Sequence, residues 1–150
     1  MPKSRASYQS THPSTADRGA PFDPTYNLGY SRFIHVHATK TADYQILEGD
    51  CGTTFDNIGA TGAVILTLPA LTNLPDGWWC RAYNAVLAAD LTVASSGSSD
   101  NIITINDISA DSVKLGTANE RAGGGWEFVK RGTKWLCLTM TGETQSVTIA

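Results

Sequence analysis

GGGWEFVKRGTKWLCLTM, residues 123 to 140, decides the fold class. WEFVK and KWLCLTM are two β-prone runs rich in aromatic and branched side chains, and they flank Arg131-Gly132-Thr133, a loop of hairpin length in which Gly132 can take a positive φ. The spacing predicts two antiparallel strands. Side chains alternate across a strand, so Leu136, Leu138 and Met140 fall on one face and Trp135, Cys137 and Thr139 on the other. Both faces are partly apolar, which leaves one available to another subunit.

The same grammar repeats outward from this hairpin. AVILTLPA at 63 to 70 is apolar at successive positions, so it reads as a strand covered on both faces and ended by Pro69. Further strands are expected near 43 to 48, 52 to 57, 78 to 84, 91 to 94, 102 to 106, 112 to 116 and 145 to 149, with the hairpin strands at 125 to 130 and 134 to 140. Gly59, Gly62, Pro75-Asp76-Gly77, the Ser/Gly run at 95 to 99 and Gly123-Gly124-Gly125 supply the turns. Short strands about ten residues apart predict an all-β protein, an antiparallel β-sandwich of jelly-roll type. No stretch carries a 3.6-residue apolar period over a useful length.

The chain has 150 residues, with 41% hydrophobic and 17% charged. That suits one ordinary domain with a tail and excludes both a charge-rich disordered chain and a long-helical one. Residues 1 to 40 read as an extended N-terminal arm and 41 to 150 as the sandwich domain. The first 20 residues hold almost nothing able to drive burial, whereas 21 to 40 carry Phe22, Tyr26, Leu28, Tyr30 and Phe33 among Pro21, Pro24 and Gly29, which forbid a regular helix. These five apolar residues are the candidate partner-binding set, suited to adding a strand to a neighbour. The arm has five basic and two acidic side chains; the rest has six and twelve. A basic arm before an acidic body fits an acidic surface, but the cations are too thinly spread for direct nucleic-acid binding. No apolar run approaches a membrane span and the leading stretch lacks a signal peptide's apolar core, so the expectation is a soluble, cytosol-made protein with no membrane partner.

Residues with chemical potential form no recognisable machinery. The histidines are His12, His35 and His37, all in the arm, so a Ser/His/Asp or Cys/His triad has no base within the body. His35 and His37 would share one side of a strand, but two ligands fall short of a zinc site, and no metal is expected. Asp43, Glu48, Asp50 and Asp56 crowd one region and Asp100, Asp107 and Asp111 another; beside Gly, Ser and Asn they suit turn formation better than a glycosidase pair. Cys51, Cys80 and Cys137 lack zinc or redox spacing and read as reduced and mostly buried. Trp78 and Trp79 should face opposite ways, one into the core and one outward. No catalytic residues and no cofactor are expected, and the chain reads as a non-enzyme.

DCGTTFDNIGATGAVILTLPA at 50 to 70, LTV at 91 to 93, SDNIITIN at 99 to 106 and GGGWEFVKRGTKWLCL at 123 to 138 together resemble a β-module of tailed-bacteriophage structural proteins, found in capsid decoration (cement) proteins and in fibre or spike modules. The resemblance implies an all-β, trimeric virion protein without enzymatic activity. The chain has no heptad or repetitive shaft of the kind a fibre carries, which favours the decoration role. The implied function is to bridge neighbouring major capsid subunits on the outer surface of the head after assembly in the host cytoplasm. The alternative is a fibre or spike tip that binds a host receptor or glycan.

Overall fold

A computed structural model of the chain describes residues 36–99, 101–115, 122–142 and 146–150. Val36–Ala150 forms one compact unit. The arm residues Phe22, Tyr26, Leu28, Tyr30 and Phe33 lie outside the described residues. Among the described residues twelve strands run in chain order: β1 Val36–Thr39, β2 Tyr44–Gln45, β3 Thr53–Asp56, β4 Val64–Thr67, β5 Trp79–Asn84, β6 Leu91–Ala94, β7 Ile102–Thr104, β8 Asp107–Ala110, β9 Ser112–Leu115, β10 Gly124–Arg131, β11 Lys134–Met140 and β12 Val147–Ile149. Glu48–Asp50 and Leu71–Asn73 are single 3-10 turns, and the described residues contain no longer helix.

The strands build two mixed sheets, β1-β3-β5-β10-β11-β7-β8 and β12-β9-β6-β4-β2. The first six strands alternate between them. Odd strands enter the seven-stranded sheet and even strands the five-stranded one, with Thr54 beside Arg81 in the first and Tyr44, Leu66 and Val93 aligned in the second. A parallel neighbour requires a crossover, and here each crossover is a strand of the opposite sheet.

The all-β expectation holds, but the antiparallel arrangement needs correction. Pairings β1/β3, β3/β5, β2/β4, β4/β6 and β7/β11 are parallel. The β5/β10, β10/β11, β6/β9, β9/β12 and β7/β8 pairings are antiparallel. Turn residues mark where the chain reverses without saying whether the next strand returns beside the last or crosses to the facing sheet.

Inward side chains of both sheets form one core. Phe55, Cys80, Ala82, Ile102, Trp126, Phe128 and Trp135 come from the larger sheet and Val64, Leu66, Leu91, Val93, Val113 and Leu115 from the smaller. Trp78 is buried, donates its indole N–H to the Glu48 carbonyl at 2.8 Å and meets Trp135 edge-on at 5.6 Å. Within β4, Val64 and Leu66 are buried while Ile65 is 41% exposed, so the expectation of two covered faces fails at Ile65. In a two-layer body the outer side of β4 meets solvent.

The expected β10/β11 hairpin is present. Arg131 pairs with Lys134, so the loop tightens to Gly132 and Thr133, and Gly132 takes φ 60°. The triple-glycine run is only partly a turn. Gly123 has φ 93°, but Gly124 and Gly125 begin β10, and a Cβ at Gly125 would overlap the Ala82 carbonyl oxygen. That close approach is what requires glycine where β10 lies against β5.

Candidate functional site: an exposed apolar sheet face

Alternation along β11 sends Trp135 inward and Leu136, Leu138 and Met140 outward, as their spacing predicts. The outward three remain 42%, 61% and 41% exposed, respectively. Pairing register extends this row across the sheet. Leu136 stands opposite Val129 of β10 and Ile103 of β7, and Val129 stands opposite Trp79 of β5. Met140 is opposite Gly125, whose other partner is Tyr83, 44% exposed.

The face carries one paired charge between β5 and β10, and at its hairpin end Arg131 stands opposite Lys134, two cations. Arg81 and Glu127 are register partners joined at 2.9 Å, and the Arg81 guanidinium lies 5.3 Å from the Trp79 ring centroid. Ile103, Val129, Leu136 and Leu138 line a cavity of about 440 Å³ beside this ion pair. A contiguous apolar surface with paired charge at its margin has the composition of an association face.

The remaining candidates resolve into structural roles. Asp43 accepts the Ile65 N–H, Asp50 accepts the Leu47 N–H and the Tyr44 hydroxyl, and Asp56 accepts the Thr39 hydroxyl and the Ile58 N–H. Asp107 accepts the Ser109 N–H. Asp50, Asp56 and Asp107 therefore show the expected turn chemistry, whereas Asp43 bonds a strand distant in the chain. Asp100, His12 and His35 lie outside the described residues, and His37 sits exposed on β1. Among the described residues no group of three or more His, Cys, Asp or Glu side chains could hold a metal ion.

Cys80 and Cys137 flank Phe128 in the register on the inner face of the sheet. Burial raises the Cys80 thiol far above its ordinary range. It also pushes Cys137 up to about 11, against the opposing pull of hydrogen bonds with Thr104 and Thr139. Neither is a ready thiolate nucleophile. Cys51, following the Glu48–Asp50 turn, is exposed and corrects the expectation that the cysteines are mostly buried; its place in a connection gives it no sheet to face.

Of the residues that make the apolar face, the alternation in β11 reveals Leu136, Leu138 and Met140, and the adjacent tryptophans point to Trp79. Ile103, Val129 and Tyr83 join them only through pairing between distant strands, for which no short-range signal exists. No protein-family model matches this chain, and no curated protein matches it. No described helix is long and apolar enough to cross a membrane.

Proposed function

We propose that this chain is a structural virion protein, a homotrimeric capsid decoration protein of a tailed bacteriophage that bridges neighbouring major capsid subunits. The observation that carries the proposal is the outward Leu136, Leu138 and Met140 row with Val129 and Ile103 beside it. An apolar area of this kind in the interior of a sheet gains free energy when another protein surface removes it from water. In this reading the face joins copies of the chain, and Phe22, Tyr26, Leu28, Tyr30 and Phe33 of the arm engage the shell. Bridging then works by contact area alone: capsomers held by a third protein must lose that area before they separate. No bond is made or broken.

Sedimentation equilibrium of the full chain and cosedimentation with phage heads lacking this protein test the reading together. A trimer that binds heads supports it. Removing residues 1–35 leaves every core residue of the Val36–Ala150 unit in place. The shortened chain should remain trimeric and lose head binding. A monomeric full chain, or heads bound equally well without residues 1–35, overturns the corresponding half of the proposal.

A further inference from the structure

The exposed sheet face has a hollow and, at its margin, a projection. The hollow is the cavity of about 440 Å³ between Ile103, Val129, Leu136 and Leu138. The projection is the β7/β8 corner. Ile108 on the edge strand β8 is 72% exposed, more than any other large apolar side chain among the described residues, and Ile105 in the turn before it is 50% exposed. Pairing of β7 with β8 slips between Ile102–Ala110 and Thr104–Asp107, so Ile108 and Ser109 together stand opposite Ile103. A bulge of this kind re-aims the side chains it contains, and here both Ile108 and Ser109 are exposed while Ala110 is buried. Ile108 therefore stands next to Ile103, on the rim of the hollow.

The corner is held by its own contacts. Asn106 takes φ 58° in the turn, Asp107 accepts the Ser109 N–H at 2.8 Å, and Lys134 of β11 donates from Nζ to the Ile108 carbonyl at 3.0 Å. A side chain on so fixed a support gives up little backbone freedom when a partner covers it.

We propose that Ile108, with Ile105 beside it, fills the hollow of a second copy of this chain. The proposal rests on the reading in which the sheet face joins copies, and it names the surface that meets that face. Two hollows pressed together would leave both unfilled, and a gap forfeits the dispersion contacts of its lining. The face needs an apolar projection from its partner, and the β7/β8 corner is one that every copy carries, continuous with the face through Ile103. The other exposed aliphatic side chains are worse placed. Ile58 and Leu87 lie past the ends of β3 and β5, on the far side of the Arg81–Glu127 pair, and Ile65 points outward from the opposite sheet, where a contact would stack copies in an open row. A corner of one copy seated in the face of the next is a heterologous contact, the kind from which a ring of three is built.

Cross-linking of single-site variants tests the arrangement. Full-length Cys51→Ala protein carrying Ile108→Cys is mixed with the same protein carrying Leu138→Cys, at a concentration at which the unaltered chain associates. Under copper phenanthroline two thiols give up two protons and two electrons to dioxygen and become a disulfide. A mixed pair should appear on a non-reducing gel, and neither variant should pair with itself. Sedimentation velocity gives the second readout: Ile108→Ser should weaken self-association about 10-fold, whereas Ile58→Ser, 60% exposed but away from the hollow, should leave it unchanged, with circular dichroism showing both variants folded. Absence of the mixed pair, Leu138→Cys pairing with itself instead, or equal association of Ile108→Ser and the unaltered chain overturns this inference while the association itself stands. A full-length chain that never associates overturns the reading beneath it as well.

Discussion

Replacing Leu136, Leu138 and Met140 together with serine tests assembly, because these side chains point away from the core. Their exposures of 42%, 61% and 41% leave about half of each side chain to be covered by a partner. Full burial of a Leu or Met is worth roughly 1.5–3 kcal/mol, so covering the remaining half contributes about 1 kcal/mol each. Three residues give about 3 kcal/mol per protomer, about a hundredfold in the dissociation constant. The half of each side chain already covered within the fold is lost as well, about 1 kcal/mol each on the same scale, so the urea midpoint should fall too, and association is compared in urea-free buffer with the variant shown to be folded. Sedimentation velocity over a wide concentration range reads the association, and circular dichroism with urea titration reads the fold. An association constant equal to that of the unaltered chain refutes the role assigned to this face. If the triple variant unfolds, Leu138→Ser alone, at the most exposed of the three positions, should still weaken association by about fivefold.

Gly125→Ala should destabilise the fold by about 3 kcal/mol or more, because the new methyl meets the Ala82 backbone and the β5/β10 ladder must part; Gly62→Ala, which meets nothing within 4 Å, is the control expected near zero in the same denaturation assay. Titration with a thiol reagent at about pH 8 should find one fast-reacting cysteine, Cys51, with Cys80 and Cys137 appearing only on unfolding; two fast thiols in the native protein would contradict the burial described. The Lys130 hydrogen bond, followed by the Gly132 N–H, holds the Asp76 carboxyl below its ordinary range. Its stabilising contribution is therefore present above the unfolded carboxylate pKa and disappears as pH falls through the lowered folded value, and Asp76→Asn should flatten that acid limb in a series of urea midpoints against pH. Asn57→Ala should cost about 1–2 kcal/mol, since it takes the acceptor from the partly buried Ala85 N–H and removes the buried 2.8 Å bond to Asn84.

Strand positions were legible because Gly, Pro and Asp-Gly punctuation brackets runs of β-branched and aromatic residues. β8 escaped because Ile105-Asn106 turns the chain without glycine, Asn106 itself taking φ 58°. Asparagine tolerates that left-handed conformation, but no composition signal announces it. Facing was legible wherever one strand contained its own contrast, as in Trp135 against Leu136. It failed at Ile65, where apolar neighbours on both sides hide which face is buried. Sheet membership was not legible at all: Gly59 and Gly62 sit between β3 and β4 just as Gly132 sits between β10 and β11, yet the first connection crosses to the opposite sheet and the second closes a hairpin. Local chemistry governs the bend, and the core that the next strand can reach governs its destination.

The division of the outer face itself limits where a partner can sit. On β1 and β3 that face carries His37, Thr39, Thr54 and Asp56, with Thr39 hydrogen-bonded to Asp56 at 2.9 Å. On β10, β11 and β7 it carries Val129, Leu136, Leu138, Met140 and Ile103. The boundary falls at the Arg81–Glu127 pair between β5 and β10. A partner covering the whole sheet would also desolvate the exposed His37 and Thr39, polar groups that oppose association when covered without new hydrogen bonds, whereas Thr54 and Asp56 are already buried. A partner confined to the apolar half avoids that cost and leaves the ion pair at the interface rim, where it contributes little to affinity and more to orientation. The favoured contact is therefore offset toward the β7 side of the sheet and leaves the β1 edge, where the chain enters the body at Val36, uncovered.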